Sequence, residues 1–248
     1  MSRLLMILLG TLLTTSCAPV DYQRLQATAL ENARARLQQT LARHFTREFA
    51  KGMDTLIGAL AAEGGFLDNP LVKILLPPPL GLVLAVGQAV HNNPQEALLE
   101  VLINRAAEEA IPLAGPLLHA TLQTLVLRGE VETLLSGDAS AVTDALRAES
   151  REQLKEALLP AIGKSLDNTG AGKLYGALVA FNAQVHQAEE DLEDLGILVP
   201  AETEDGPPGV AAAELDDYVA ERALDGLFNL LAEREKRIRA QLDAPAAF

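Results

Sequence analysis

The 248 residues suffice for one substantial domain, and a hydrophobic content of 49% argues against global disorder; with no tryptophan and only 4% aromatics, the apolar content is mostly leucine and alanine, residues of helices rather than strands. A formal net charge of −14 argues against nucleic-acid binding, which needs cations against phosphate, and gives no support to a basic patch on an anionic membrane. It suits solubility, and leaves a basic partner or a cation open.

The chain opens with MSRLLMILLGTLLTTSC. Arg3 supplies a positive start, residues 4–13 an apolar run, and Thr14, Thr15 and Ser16 a small polar end before Cys17, the sole cysteine. Ten residues of helix rise about 15 Å, half of a bilayer core, so the run reads as a secretory signal and not a membrane span. The placing of Cys17 resembles a bacterial lipobox, although Thr14 stands where the usual motif has leucine. That resemblance implies cleavage before Cys17 and acylation of it, with two or three chains giving stable anchoring. Ala18 in place of aspartate implies the periplasmic face of the outer membrane in a Gram-negative cell. The expected layout is a signal peptide over 1–16, an all-helical domain over 17–242 and a tail over 243–248.

Residues 20–62 read as one long helix or two stacked ones. Leu25, Leu30, Leu37, Leu41, Phe45, Phe49, Met53, Leu56 and Leu60 supply a single apolar stripe, and Gly64 and Gly65 the stop. A strap follows, GFLDNPLVKILLPPPL over 65–80. Asp68 or Asn69 caps a short helix to about residue 75 with Pro70 at its first position, and Pro77, Pro78 and Pro79 force an extended linker. Phe66, Leu71 and Ile74 are expected in the core. Residues 80–90 predict a short apolar helix. Asn93, Pro94 and Glu96 start another, which Pro112 interrupts. Residues 111–127 continue as helix, with Pro116 in the first turn and Gly129 as the stop. Asp138 is a cap for a helix over 139–167, which Pro160 should kink or split. Residues 173–195 and 214–242 complete the set, separated by an acidic Pro/Gly-rich loop over 200–209 that is expected to be flexible. The fold class is all-α: one bundle-like domain of six to eight helices.

Motifs for known chemistry fail. The GKS at 163–165 lacks the upstream glycine of a phosphate loop, and no histidine has the Glu-x-x-His spacing of di-iron bundles. There is no cysteine/histidine zinc cluster. His186 with Glu189 and Glu190 has cation-binding spacing but reads as a solvated face, and His119 as a satisfied buried histidine. No cofactor or metal is expected. One polar set stands out: Asp68, Asn69 and Lys73 on the strap, Asn104 and Arg105 inside an apolar helix, and Asp216, Asp217 and Tyr218 opening the last one. Arg105 with the two aspartates could form a polar site, or an interhelical tie that fixes packing.

GFLDNPLVKILLPPPL, NRAAEEAIPLAGPLL, TGAGKLYGAL and LDDYVAERALDGLFNLLAEREKRIR resemble, in order, the signature segments of the bacterial family called domain of unknown function 4197. The resemblance covers roughly residues 50–242. It implies a signal or lipoprotein leader before an α-helical domain, and no assigned activity. The reading is an envelope lipoprotein, membrane-held through acylated Cys17, acting as a binding or scaffolding module for a protein partner. An envelope hydrolase or lyase using the Asp/Arg group, or a carrier of an apolar ligand, are the alternatives.

Overall fold

A computed structural model describes residues 22–77, 80, 94–194 and 209–243. The signal segment, the helix expected over 80–90 beyond Leu80, the Asn93 cap and nearly all of the 200–209 loop lie outside the described residues. Within them every regular element is helical: α1 (Tyr22–Leu60), α2 (Pro94–Ala110), a 3-10 turn (Ile111–Leu113), α3 (Ala114–Leu127), α4 (Glu130–Leu134), α5 (Ala141–Thr169), α6 (Ala171–Asp194), a 3-10 turn (Ala212–Glu214) and α7 (Leu215–Asp243). The chain divides into two compact units, Met1–Thr40 and Leu41–Phe248. The described part of the first is helix alone, its side chains exposed from Gln26 onward.

The second unit is built round α5, which packs chiefly on α7 and also on α2, α3 and α6. Val142, Leu146, Leu154, Leu158, Ile162 and Leu166 are all buried at mostly four-residue steps. Each such step overshoots a turn by about 40°, so the row winds round the helix and is buried only where neighbours follow it. The neighbours of α5 do. On α1 the same winding is covered from Ala42 onward, by way of Phe45, Phe49, Met53 and Ile57, while Leu30, Leu37 and Leu41 stay exposed. The single stripe read from the sequence is therefore half stripe, half surface.

Pro112 falls in the 3-10 turn that separates α2 from α3, and Pro116 in the first turn of α3. Pro160 is different: α5 runs through it unbroken. Interior proline costs about 3 kcal/mol locally, and the buried rows on both sides of it outweigh that. Nor does Asp138 cap α5 with its side chain. Its carbonyl accepts from Ala141 N (3.0 Å), and the next two amides go to Glu235 of α7, which is fully buried and accepts from Val142 N (3.1 Å), Thr143 N (2.7 Å) and Thr143 Oγ1 (2.7 Å). Arg239 donates to Glu235 (2.6 Å) and to the carbonyls of Leu134 and Leu135 at the end of α4, and lies over the Phe45 ring. One glutamate–arginine pair thus ties α1, α4, α5 and α7.

Candidate functional site

The strap is one turn followed by an extended run, without the helix expected to residue 75. Asn69 does cap the turn: its Oδ1 accepts from Leu71 N (3.2 Å) and its carbonyl from Lys73 N (2.9 Å). The next helical bond would run from Ile74 N to the carbonyl of Pro70. Asn104 takes that amide instead. Its Oδ1 accepts from Ile74 N (2.9 Å), and its Nδ2 donates to Ile74 O (2.8 Å) and Glu100 O (2.8 Å). The side-chain amide therefore pairs with the strap as a neighbouring strand would, from a residue with no exposed surface. Beyond this point the two-residue period of extended chain applies. Ile74 and Leu76 point inward and Leu75 out; within the turn before them Val72 is buried and Leu71 is 75% exposed. That corrects the expectation for Leu71; Phe66 and Ile74 are buried as expected.

Three further groups fix the strap. Glu108, buried, accepts from Phe66 N (3.2 Å) and pairs with Arg105 (3.5 Å). Lys73 pairs with Glu100 at 2.5 Å, and Tyr218 Oη donates to Leu75 O (3.1 Å). A Cβ at Gly226 would lie 2.9 Å from Val72 Cβ, so only glycine lets α7 approach this closely. Asp68 stays on the surface, folded over Gly64, whose φ of +78° suits glycine.

Apart from Asp68, the candidate polar residues thus go to two places. Asn69, Lys73, Asn104 and, through Glu108, Arg105 belong to the strap clamp; Arg105 also reaches Glu109 (3.6 Å). Asp216 and Asp217 belong to a cleft at the start of α7, and Tyr218 stands in both. Arg105 pairs with Glu108 and Glu109 on its own helix and Asp217 with Lys155 on α5, so these pairs form two sets rather than one.

The cleft is open to solvent, holds about 870 Å³ and is lined by Leu159, Val210, Ala213, Glu214, Asp216, Asp217, Tyr218, Glu221, Arg222 and Asp225. Its wall is an antiparallel charge ladder. Lys155 bridges Asp217 and Glu221, each at 2.8 Å; one turn earlier on α5, Arg151 bridges Glu221 and Asp225 (2.9 Å to the latter). Burial opposes charge on Glu221, but the Lys155 and Arg151 bonds outweigh it and hold its carboxyl below the usual range. The hydrogen bonds that its ammonium donates to Asp217 and Glu221 push Lys155 well up. Arg151 also moves up, its carboxylate partners overcoming its burial. Behind the cleft, burial and then the neighbouring Tyr218 push Tyr175 up to about 12, and its hydroxyl donates to Val210 O (2.7 Å).

Sequence reading found Asp216, Asp217 and Tyr218 but missed Arg151, Lys155, Glu221 and Asp225. The signal was there: charges at four-residue steps on two helices, acidic on one and basic on the other. Glu108 and Glu235 left none, since a helical glutamate is ordinarily solvated. His119 is only part-buried and bonds Asp54 at 2.7 Å. The side chains of the His186 group lie outside the described set, and the described residues hold no metal-binding cluster. A second hollow, of about 520 Å³, is apolar and open, lined by Pro94, Gln95, Ala177, Leu178 and Phe181.

A family model described as a protein of unknown function (DUF4197) matches residues 36–246, which include all four signature segments. No curated protein and no solved structure matches the chain.

Proposed function

The chain belongs to the DUF4197 family, whose description assigns no activity, and from its own residues we propose that it is an envelope lipoprotein, held to a membrane by acyl chains on Cys17, whose helical domain is a binding module for a basic protein partner. The observation that carries the binding reading is the laddered cleft. Among the described residues, Glu214, Asp216, Asp217, Glu221 and Asp225 line it against Arg222, with Arg151 and Lys155 set behind them and paired with Asp217, Glu221 and Asp225. A basic segment seated there would meet excess negative charge held in fixed geometry. The leader and the lone Cys17 support the tether.

The hydrolase or lyase alternative asks for a group poised near neutral pH. At the cleft, Glu221 moves down while Lys155 and Arg151 move up, all away from neutrality, which favours binding over proton transfer. A carrier would want an enclosed apolar cavity, and the hollow beside Phe181 is open.

Thermal unfolding with an oligolysine peptide tests the cleft. The midpoint should rise with peptide concentration by mass action, lose the rise in high salt, and ignore oligoglutamate. A flat midpoint, or an equal response to both peptides, contradicts the reading. For the tether, Cys17→Ala should abolish incorporation of a fatty-acid analogue and release the protein from membranes; unchanged retention contradicts it.

A further inference from the structure

We propose that the first part of α1, residues 22–40, lies along an anionic lipid surface beside the acyl anchor, with Leu30 and Leu37 among the headgroups and Arg34 against lipid phosphate. The inference rests on the tether at Cys17 and says what the segment next to it does. Every side chain from Gln26 to Thr40 is exposed. Among them Leu30 is 54% and Leu37 60% exposed, large apolar groups without cover. Seven residues apart, they sit about 20° from each other round the helix, while Asn32 and Gln39 lie on the opposite side.

The charge of this stretch runs against that of the chain. Residues 22–40 carry Arg24, Arg34 and Arg36 against one acid, Glu31, in a protein of net charge −14. Overall charge hides this local excess of cation. Arg34 falls about 40° from Leu30, where a long side chain lays its stem along an apolar face and carries its guanidinium to phosphate. Leucines and arginines on one exposed helix make an interfacial segment, and charge complementarity selects an anionic surface. The sequence supplies the remaining condition. Tyr22, where α1 begins, follows Cys17 by five residues, so acyl chains there would hold the helix at high local concentration over the bilayer.

The test uses the full chain, made in cells that acylate lipoproteins and reconstituted into vesicles of phosphatidylcholine alone or mixed with phosphatidylglycerol. An acylated Cys17 has no free thiol, so Leu37→Cys or Gln39→Cys introduces a single site for a fluorophore. In mixed vesicles the label at position 37 should lose access to an aqueous quencher and gain access to a lipid-soluble one. The label at position 39 should stay in water. The protection should vanish in high salt, in phosphatidylcholine alone, and on adding Arg34→Gln with Arg36→Gln. Equal aqueous quenching at both positions, with Cys17 blocked, overturns the proposal and leaves the tether standing. Protection that is equal in both vesicle types and grows with protein density marks a second copy as the occupant and also overturns it. A reactive thiol at Cys17 in the unmutated chain overturns the tether itself, and the placement with it.

Discussion

Asn104 shows how one buried amide sets the course of a segment. It satisfies both backbone groups of Ile74 from a fully buried position. Asn104→Ala leaves an N–H and a C=O without partners, and urea unfolding should show a loss of about 3 kcal/mol. A loss near zero would mean that water or a shifted strap replaces the amide. Glu235→Ala removes the acceptor for the Val142 and Thr143 amides and takes the carboxylate from Arg239; the expected loss is about 3–5 kcal/mol. The ladder makes a pH-dependent prediction. Glu221 has a lowered folded pKa, so its stabilisation is present above the ordinary glutamate range and is lost as pH falls through the folded value. Lys155 has a raised one, so its stabilisation is present below the ordinary lysine value and fades as pH rises through the folded value. Lys155→Ala should therefore lower the thermal midpoint near neutral pH and differ less from the parent at acid pH. A gap that stays constant from neutral to acid pH would contradict the pairing. Of these residues, Asn104 was legible in the sequence because an amide is conspicuous between Ile103 and Arg105 in an apolar helix. Arg105 was equally conspicuous, but it is exposed and pairs with Glu108 and Glu109 on its own helix.

At the scale of elements, α7 and the strap meet at Gly226. Gly to Ala in an exposed helix position such as Gly58, where an added Cβ meets nothing, should stabilise by about 0.5–1 kcal/mol. Gly226→Ala should do the reverse, costing about 1–3 kcal/mol through its clash with Val72. Val72→Ala in the same chain should recover part of that loss, a departure from additivity. Stabilisation by Gly226→Ala alone would show that the strap is free to move away. Helices were legible because leucine and alanine periodicity is a local signal. Where they stop was legible only when the stop is local too, as at Gly64 and Gly129, both with positive φ. The strap stops for a reason thirty residues away, in Asn104, and α5 starts on a carboxylate of α7. Pro160 misled in the opposite sense, because tertiary packing outweighs a single lost hydrogen bond.

For the whole molecule, the family segments divide their labour. Strap, α2 and the middle of α7 hold one another through Asn104, Glu108, Tyr218 and the close approach at Gly226. The head of α7, with α5, turns its charges toward solvent in the cleft. The sequence grouped these polar residues as one site because all of them interrupt apolar or capping stretches; only three dimensions separate a tie from a surface. The central claim is that the strap clamp carries stability and the cleft carries binding, and it is tested most directly by the dissociation constant for oligolysine. The constant should be unchanged in folded Asn104→Ala, measured well below its unfolding midpoint. It should weaken at least about tenfold in Asp216→Asn combined with Asp225→Asn, the loss of two charge-assisted contacts. Equal affinity in all three chains, or a loss confined to Asn104→Ala, would contradict the account.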